Sequence, residues 1–188
     1  MKKRVVKLGG SLFRSAALLD VLPHLDAATG QLAIVTGGGA AADVVRDMQA
    51  QLKLNELTAH RLALKAMSMN AQALVELLPR GRLVSDPAAF LRVWETKALP
   101  VWVPEPMVLD APDICASWQV TSDSLAAWLA RQLGAELLLV KSIAVEPGST
   151  AATLAGAGIV DTAFPEYAAG LSWRAVSAAD LANQLQYE

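Results

Sequence analysis

The chain has 188 residues, 54% of them hydrophobic, and its 16 basic and 18 acidic side chains leave a net charge of −2. That length suits a single α/β domain over residues 1–188, and a near-neutral balance with no basic block argues against nucleic acid as a partner. No apolar run approaches the roughly 18–20 residues that cross a bilayer, the N-terminus is too short for a signal peptide, and a lone Cys115 with two distant histidines excludes a disulfide and a zinc site, so we expect a cytoplasmic protein with no membrane contact and no metal-ligating residues.

Residues 3–8 read as a strand that closes on Lys7-Leu8-Gly9-Gly10-Ser11, followed by a helical stretch at 16–28. Residues 32–35 repeat the arrangement, closing on Thr36-Gly37-Gly38-Gly39 before helical stretches at 40–53 and 57–78. A strand that ends in glycines and turns into a helix presents bare backbone N–H groups and the positive end of the helix dipole, which together hold phosphate. Two such ends within forty residues point to an anionic group passed from one loop to the other. Neither is a Walker A loop, since G-x-x-x-x-G-K-[ST] does not occur. Lys7 stands immediately before the first glycines, where a fixed ammonium neutralises charge on phosphoryl oxygens; the alternative is an edge lysine in solvent. Gly37, Gly38 and Gly39 let a substrate approach the backbone closely, unless they form only a flexible turn. The stretch 57–78 contains His60, read as a satisfied or surface histidine, and carries leucine, methionine and alanine on more than one side, which favours a homo-oligomer.

Further along, a short strand near 82–84, a helix at 87–95 and a strand at 99–103 keep the alternation. Residues 104–119, with Pro104, Pro106 and Pro112, are expected to be irregular and to line or cover a site. Trp118 lies in that segment, near a ring-shaped ligand in this reading, whereas the other tryptophans read as core or interface anchors. Thr121-Ser122-Asp123-Ser124-Leu125-Ala126-Ala127 opens a helix at 122–133. Thr121 or Ser122 can cap it, and Asp123 serves the helix dipole, orients lysine ammonium groups or binds Mg²⁺ through water. The most hydrophobic strand, 136–140, ends on Lys141, which either snorkels or faces the carboxyl edge where ligands of parallel sheets bind. The last third reads as a small strand at 143–145, helical pieces at 150–156 and 162–169, a strand at 174–176 and a helix at 178–186. Asp161 ends the turn Gly156-Ala157-Gly158-Ile159-Val160 and either caps the next helix or meets a cation, a substrate group or magnesium. Alternation of this kind predicts a mainly parallel central sheet with helices on both faces.

Lys-x-Gly-Gly-Ser, Gly-Gly-Gly and the Thr-Ser-Asp-Ser-Leu-Ala-Ala helix, in this order over nearly the whole chain, resemble the amino acid kinase family, which includes acetylglutamate, carbamate, aspartate and uridylate kinases. The resemblance implies a three-layer αβα sandwich, ATP with Mg²⁺, a small-molecule substrate and direct in-line phosphoryl transfer. It also implies that Lys7 stabilises the transferred group, that Gly9, Gly10 and Ser11 contact nucleotide phosphates, that Gly37–Gly39 hold the acceptor, and that Asp123 organises the site. The chain departs from the family pattern after the hydrophobic strand. Lys141-Ser142 stands where Thr-Asp is usual, and no Gly-Gly-Met-x-x-Lys segment follows. Lys141 is therefore expected to take part of the second catalytic lysine's duty and, with Ser142, to meet the nucleotide. The short length, Lys141, the 60–67 helix and Gly-Ile-Val-Asp…Phe-Pro are most similar to a methanofuran-biosynthesis branch that converts aminomethyl-furanmethyl phosphate to its diphosphate. That acceptor would place its phosphate on Gly37–Gly39, its furan on Trp118 and its amine on Asp161. Two other readings are a kinase of a nucleoside monophosphate or carboxylate, and a non-catalytic nucleotide- or oxyanion-binding protein.

Overall fold

A computed structural model describes residues 2–185. Six strands, β1 (Lys3–Leu8), β2 (Gln31–Thr36), β3 (Gly81–Val84), β4 (Leu99–Trp102), β5 (Glu136–Lys141) and β6 (Trp173–Ser177), form one sheet in the order β3-β4-β2-β1-β5-β6. Every pairing among them is parallel. The central strands read as unbroken apolar runs because both faces are covered. Val5, Ala33, Val35, Leu137 and Leu139 face one core, and Val6, Leu8, Ile34, Leu138 and Val140 face the other. The helices are α1 (Ala17–Ala27), α2 (Gly39–Leu52), α3 (Glu56–Leu77), α4 (Pro87–Glu95), α5 (Glu105–Leu109), α6 (Ser122–Leu133), α7 (Ala151–Gly156), α8 (Phe164–Tyr167) and α9 (Leu181–Leu185). Phe90, Trp94, Val108, Leu125, Leu129 and Phe164 close the first core; Leu18, Val21, Leu25 and Leu181 close the second. This is the three-layer αβα sandwich expected.

Four local expectations change. Within 104–119 a short helix, α5, forms, because Pro106 sits in its first turn, where the missing N–H has no intrahelical partner to lose. Residues 143–145 form no strand: the place beside β5 is taken by β6, so a ladder partner is lacking. Helix α3 is apolar on several sides because it serves both cores, Leu64 and Met67 in one and Ala71 and Leu74 in the other. Leu57, Met69 and Leu77 of the same helix stay exposed, so the two cores account for only part of that pattern. The helix expected at 178–186 is a 3-10 turn, Ala178–Asp180, running into α9; residue 186 lies outside the described residues.

Strand β1 pairs with β2 on one side and β5 on the other, so the strand order reverses at β1, and its carboxyl end is the place where such sheets bind ligands. Both glycine clusters arrive there and cross in backbone contact. A Cβ on Gly10 would lie 2.4 Å from the Gly39 nitrogen, and one on Gly37 would lie 2.5 Å from the Gly10 nitrogen. Gly39 has φ +54°, a left-handed conformation that a side chain would strain. The crossing is pinned from behind, since Asn70 Nδ2 donates to the Gly37 carbonyl at 2.6 Å and Thr36 Oγ1 to the Met67 carbonyl at 2.8 Å. These glycines are therefore packed elements rather than a slack turn. We expect Gly10→Ala to destabilise the protein by about 1–3 kcal/mol in urea denaturation, as overpacking does. Gly156→Ala, with open space around its Cβ, should be neutral or stabilising by up to about 1 kcal/mol.

Candidate active site

The register of the central strands decides which polar side chains share a face. Lys7 lies opposite Leu139 on β5, and Lys141 is two residues beyond, so both lysines point toward α6. Asp123, in the first turn of α6, meets them. Its Oδ1 accepts from Lys7 Nζ at 2.8 Å and from Lys141 Nζ at 2.8 Å. Lys141 Nζ also donates to the Ile159 carbonyl at 2.6 Å. All three residues are buried, with 3%, 5% and 7% of Lys7, Asp123 and Lys141 exposed, so this is an interior ion triad and neither lysine snorkels.

The triad is unbalanced, with two ammonium groups and one carboxylate. Burial works to raise the Asp123 carboxyl, but the two lysines outweigh it and hold the group below its ordinary value. Burial, then repulsion from Lys7, pulls Lys141 down to about 8, against the attraction of Asp123 and Asp161. An ammonium has three donors. Among the described residues Lys7 spends one and Lys141 two, so the triad holds further donors and an uncompensated positive charge beside the glycine crossing. Anionic oxygens satisfy both.

The two acidic residues expected at the site have different surroundings. Asp123 is in the triad, whereas Asp161 is saturated by the start of α6. It accepts from the Thr121 and Ser124 backbone N–H groups at 3.0 Å each and from Thr121 Oγ1 at 2.8 Å, and Ser124 Oγ donates to its other oxygen. Asp161 thus caps α6 from 40 residues away, where a carboxylate is favoured by the dipole. That corrects both expectations for it, because it caps no helix of its own and its oxygens are occupied rather than open to an amine. Thr121 holds the N-cap position, but its hydroxyl goes to Asp161.

Next to the crossing lies a cavity of about 290 Å³. Gly10, Ser11, Gly37, Gly38, Gly39 and Trp118 line it; Lys7, Gly9, Asp123, Lys141, Ser142 and Asp161 do not. Ser11 and Ser142 nevertheless touch, Oγ to Oγ at 2.8 Å, and Gly9 N–H extends the β5 ladder to the Val140 carbonyl at 2.9 Å. The two expected ligand sets therefore fall partly on different surfaces of one crossing. Ser117, Trp118, Val120 and Thr121 bring the irregular segment against the cavity, as expected of it. Trp118 is less free than a stacking platform needs. The Arg46 guanidinium carbon lies 3.9 Å from its ring centroid, and its Nε1 donates to Gln49 Oε1. One face of the indole is taken, which corrects the simple picture of an open ring for a ligand. Sequence reasoning also missed two residues. Asn70 secures the Gly37 carbonyl, and His60, read as satisfied or exposed, is a buried part of the cavity wall. A buried polar position on a helix that also carries apolar residues on several sides gives no readable signal.

A model of the amino acid kinase family matches residues 2–144. The chain is 27% identical over 140 residues to the [5-(aminomethyl)furan-3-yl]methyl phosphate kinase of Methanocaldococcus jannaschii, covering 72% of this chain and 63% of that one, so it spans under two thirds of that relative's length. Uridylate kinase from Archaeoglobus fulgidus superposes with a TM-score of 0.72 at 16% identity, over 100% of this chain and 97% of that one. UMP kinase from Bacillus anthracis gives 0.65 at 14%, over 95% and 88%. These two likenesses are of fold.

Titrating the Lys141 ε-carbon by NMR should give a midpoint near 8, far below an ordinary lysine. Asp123→Asn removes an attraction that favours the charged form, so the midpoint should fall further. The same variant should lose roughly 3–5 kcal/mol of stability in urea, the usual cost of leaving a buried charge unpaired.

Proposed function

Because this chain belongs to the amino acid kinase family, we propose that it is an ATP-dependent kinase that phosphorylates a phosphate monoester to a diphosphate, with [5-(aminomethyl)furan-3-yl]methyl phosphate as the acceptor. The observation that carries this reading is the buried triad: one carboxylate holding two lysine ammoniums at the ends of neighbouring parallel strands, beside a crossing of bare glycines. Such a set stabilises negative charge shared between two phosphate groups, which is what phosphoryl transfer demands. The acceptor identity is supported by the archaeal relative and by a cavity whose inner wall is the Gly37–Gly39 loop at the start of α2.

The donor set fits phosphates better than a protein-held cation. Among the described residues no group of three or more His, Cys, Asp or Glu could hold a metal, and Asp123 Oδ1 already faces two ammoniums. Magnesium bound mainly by phosphate oxygens and water is compatible with that arrangement. ATP would supply the γ-phosphoryl group, with Mg²⁺ offsetting charge on its oxygens. Lys7 holds negative charge at the point of transfer, fixed by the strand and by Asp123. Lys141 adds a second positive charge from β5, in place of the lysine segment that the chain lacks. Gly10, Ser11 and Ser142 position the donor phosphates through backbone N–H and hydroxyl groups, with Gly9, whose own N–H is held by the Val140 carbonyl, letting them approach the chain closely; Gly37–Gly39 position the acceptor phosphate at the start of α2. Asp123 orients both lysines and takes no proton. Residues 1–188 act as one kinase domain, in the cytoplasm and as a homo-oligomer, in this reading; among the described residues no helix is long and apolar enough to cross a membrane.

A coupled ADP-release assay with Mg-ATP should show turnover of the furan phosphate in preference to UMP and N-acetylglutamate. Lys7→Ala and Lys141→Ala should each lower kcat by roughly 10²–10³-fold, the scale of losing one preorganised charge. No turnover of any acceptor despite nucleotide binding would replace this reading with a non-catalytic binding role. Activity should also decline as pH rises through about 8, where Lys141 gives up its proton, and a pH–rate profile of kcat measures this directly.

A further inference from the structure

The outer part of the cavity wall contains a polar side chain for which the folded protein itself has no use. His60 is 8% exposed, lines the cavity and has no hydrogen-bond partner among the described residues. Burial lowers its tendency to take a proton, so at neutral pH the imidazole offers one donor and one acceptor nitrogen. Its distance from the phosphate cradle follows from the helix that carries it. Ala66 faces Gly38 across the α2–α3 contact, where a Cβ on Gly38 would lie 3.4 Å from the Ala66 Cβ. His60 is six residues earlier on α3, about 9 Å along the axis at the α-helical rise. A five-membered ring with a one-carbon arm on each side spans a distance of that order.

Charged groups reach the wall around His60 from three elements. Glu56 lies one turn earlier on α3, Asp43 and Arg46 come from α2, and Arg14 comes from the 3-10 turn after β1. The part of the irregular segment that lines the cavity is uncharged. Arg14 pairs with Asp43 at 3.6 Å, and Arg46 lies on the Trp118 ring. Glu56 accepts from Gln49 Nε2 at 3.0 Å and has no cationic partner among the described residues. The two cations and two carboxylates of this wall balance, and Glu56, one turn from His60 on the same helix, is the carboxylate without an ion pair among the described residues. Asp161, the other carboxylate considered for a cationic group, is consumed by α6.

We propose that His60 is the specificity-determining residue for the far end of the acceptor: its unprotonated nitrogen accepts a hydrogen bond from a cationic amine held about 9 Å from the phosphate cradle, with Glu56 supplying the balancing charge. The inference rests on the kinase reading above and adds the residue that tells an amine-bearing phosphate ester from one without an amine. The test compares aminomethyl-furanmethyl phosphate with its analogue carrying a methyl group in place of the aminomethyl group. The unsubstituted protein should favour the amine ester in kcat/KM by roughly 10- to 100-fold, the scale of one charge-assisted hydrogen bond. His60→Ala should erase that preference through KM for the amine ester, leaving KM for ATP and the thermal midpoint little changed, and His60→Gln, which keeps an acceptor oxygen, should restore much of it. An equal rise in KM for both esters in His60→Ala, with no recovery in His60→Gln, would overturn the assignment and make His60 a wall residue only. Calorimetric binding of the two esters without ATP separates this from failure of the kinase reading. An amine preference that vanishes in His60→Ala upholds the recognition role even if turnover is absent, and no preference overturns it even if turnover is present.

Discussion

Two lysines and one aspartate share a buried site at the carboxyl edge of this sheet, and much of the surrounding architecture answers the problem they create. Removing an ion from water costs several kcal/mol even after relaxation. Three ions here carry a net positive charge, so mutual attraction alone cannot settle the account. The protein compensates with fixed dipoles and charge nearby. The Ile159 carbonyl takes one Lys141 proton, Asp161 adds a favourable field, and Asp123 is placed in the first turn of a twelve-residue helix, where a carboxylate is welcome. What remains uncompensated is positive charge next to a loop crossing made of glycine. The site is thus held ready for an anion before any ligand arrives, which is the condition under which electrostatic stabilisation is most effective.

That readiness depends on rigid carriers. Lys7 and Lys141 stand on strands locked in parallel register, and the glycine loops contact each other through backbone alone. The segment from Gly156 to Asp161 is tied to the same centre twice, through Ile159 to Lys141 and through Asp161 to the start of α6. Lys141 thereby brings a second positive charge to this centre from a core strand, where packing fixes its place.

The sequence made the architecture readable wherever local pattern and tertiary placement agree. Alternating apolar strands and helices gave the sandwich, and the glycines after Val6 and Val35 lie at one sheet edge because parallel strands put equivalent ends together. Lys7 and Lys141 were legible for the same reason, as polar residues closing apolar strands. Asp161 was not, because its partners lie 37 and 40 residues away and no local spacing records that closure. Trp118 was half legible: its place in a proline-bounded segment near the cavity could be read, but the Arg46 cation on its ring belongs to another helix. His60 was hidden by its setting. On a helix that enters two cores, periodicity cannot tell a wall residue from a packed one.

Helix α3 also has a mechanical consequence. Its second half is clamped in the core beneath the sheet through Ala71 and Leu74, while its first turns, with Glu56 and His60, stand over the cavity. The helix is held on both sides of the point where Ala66 meets Gly38 and Asn70 grips Gly37, by Leu64 and Met67 in one core and by Ala71 and Leu74 in the other. Repacking either core along it would shift the wall that carries Glu56 and His60. Under the reading proposed above, acceptor recognition and core packing would share one helix, so a substitution chosen for one would be placed to affect the other.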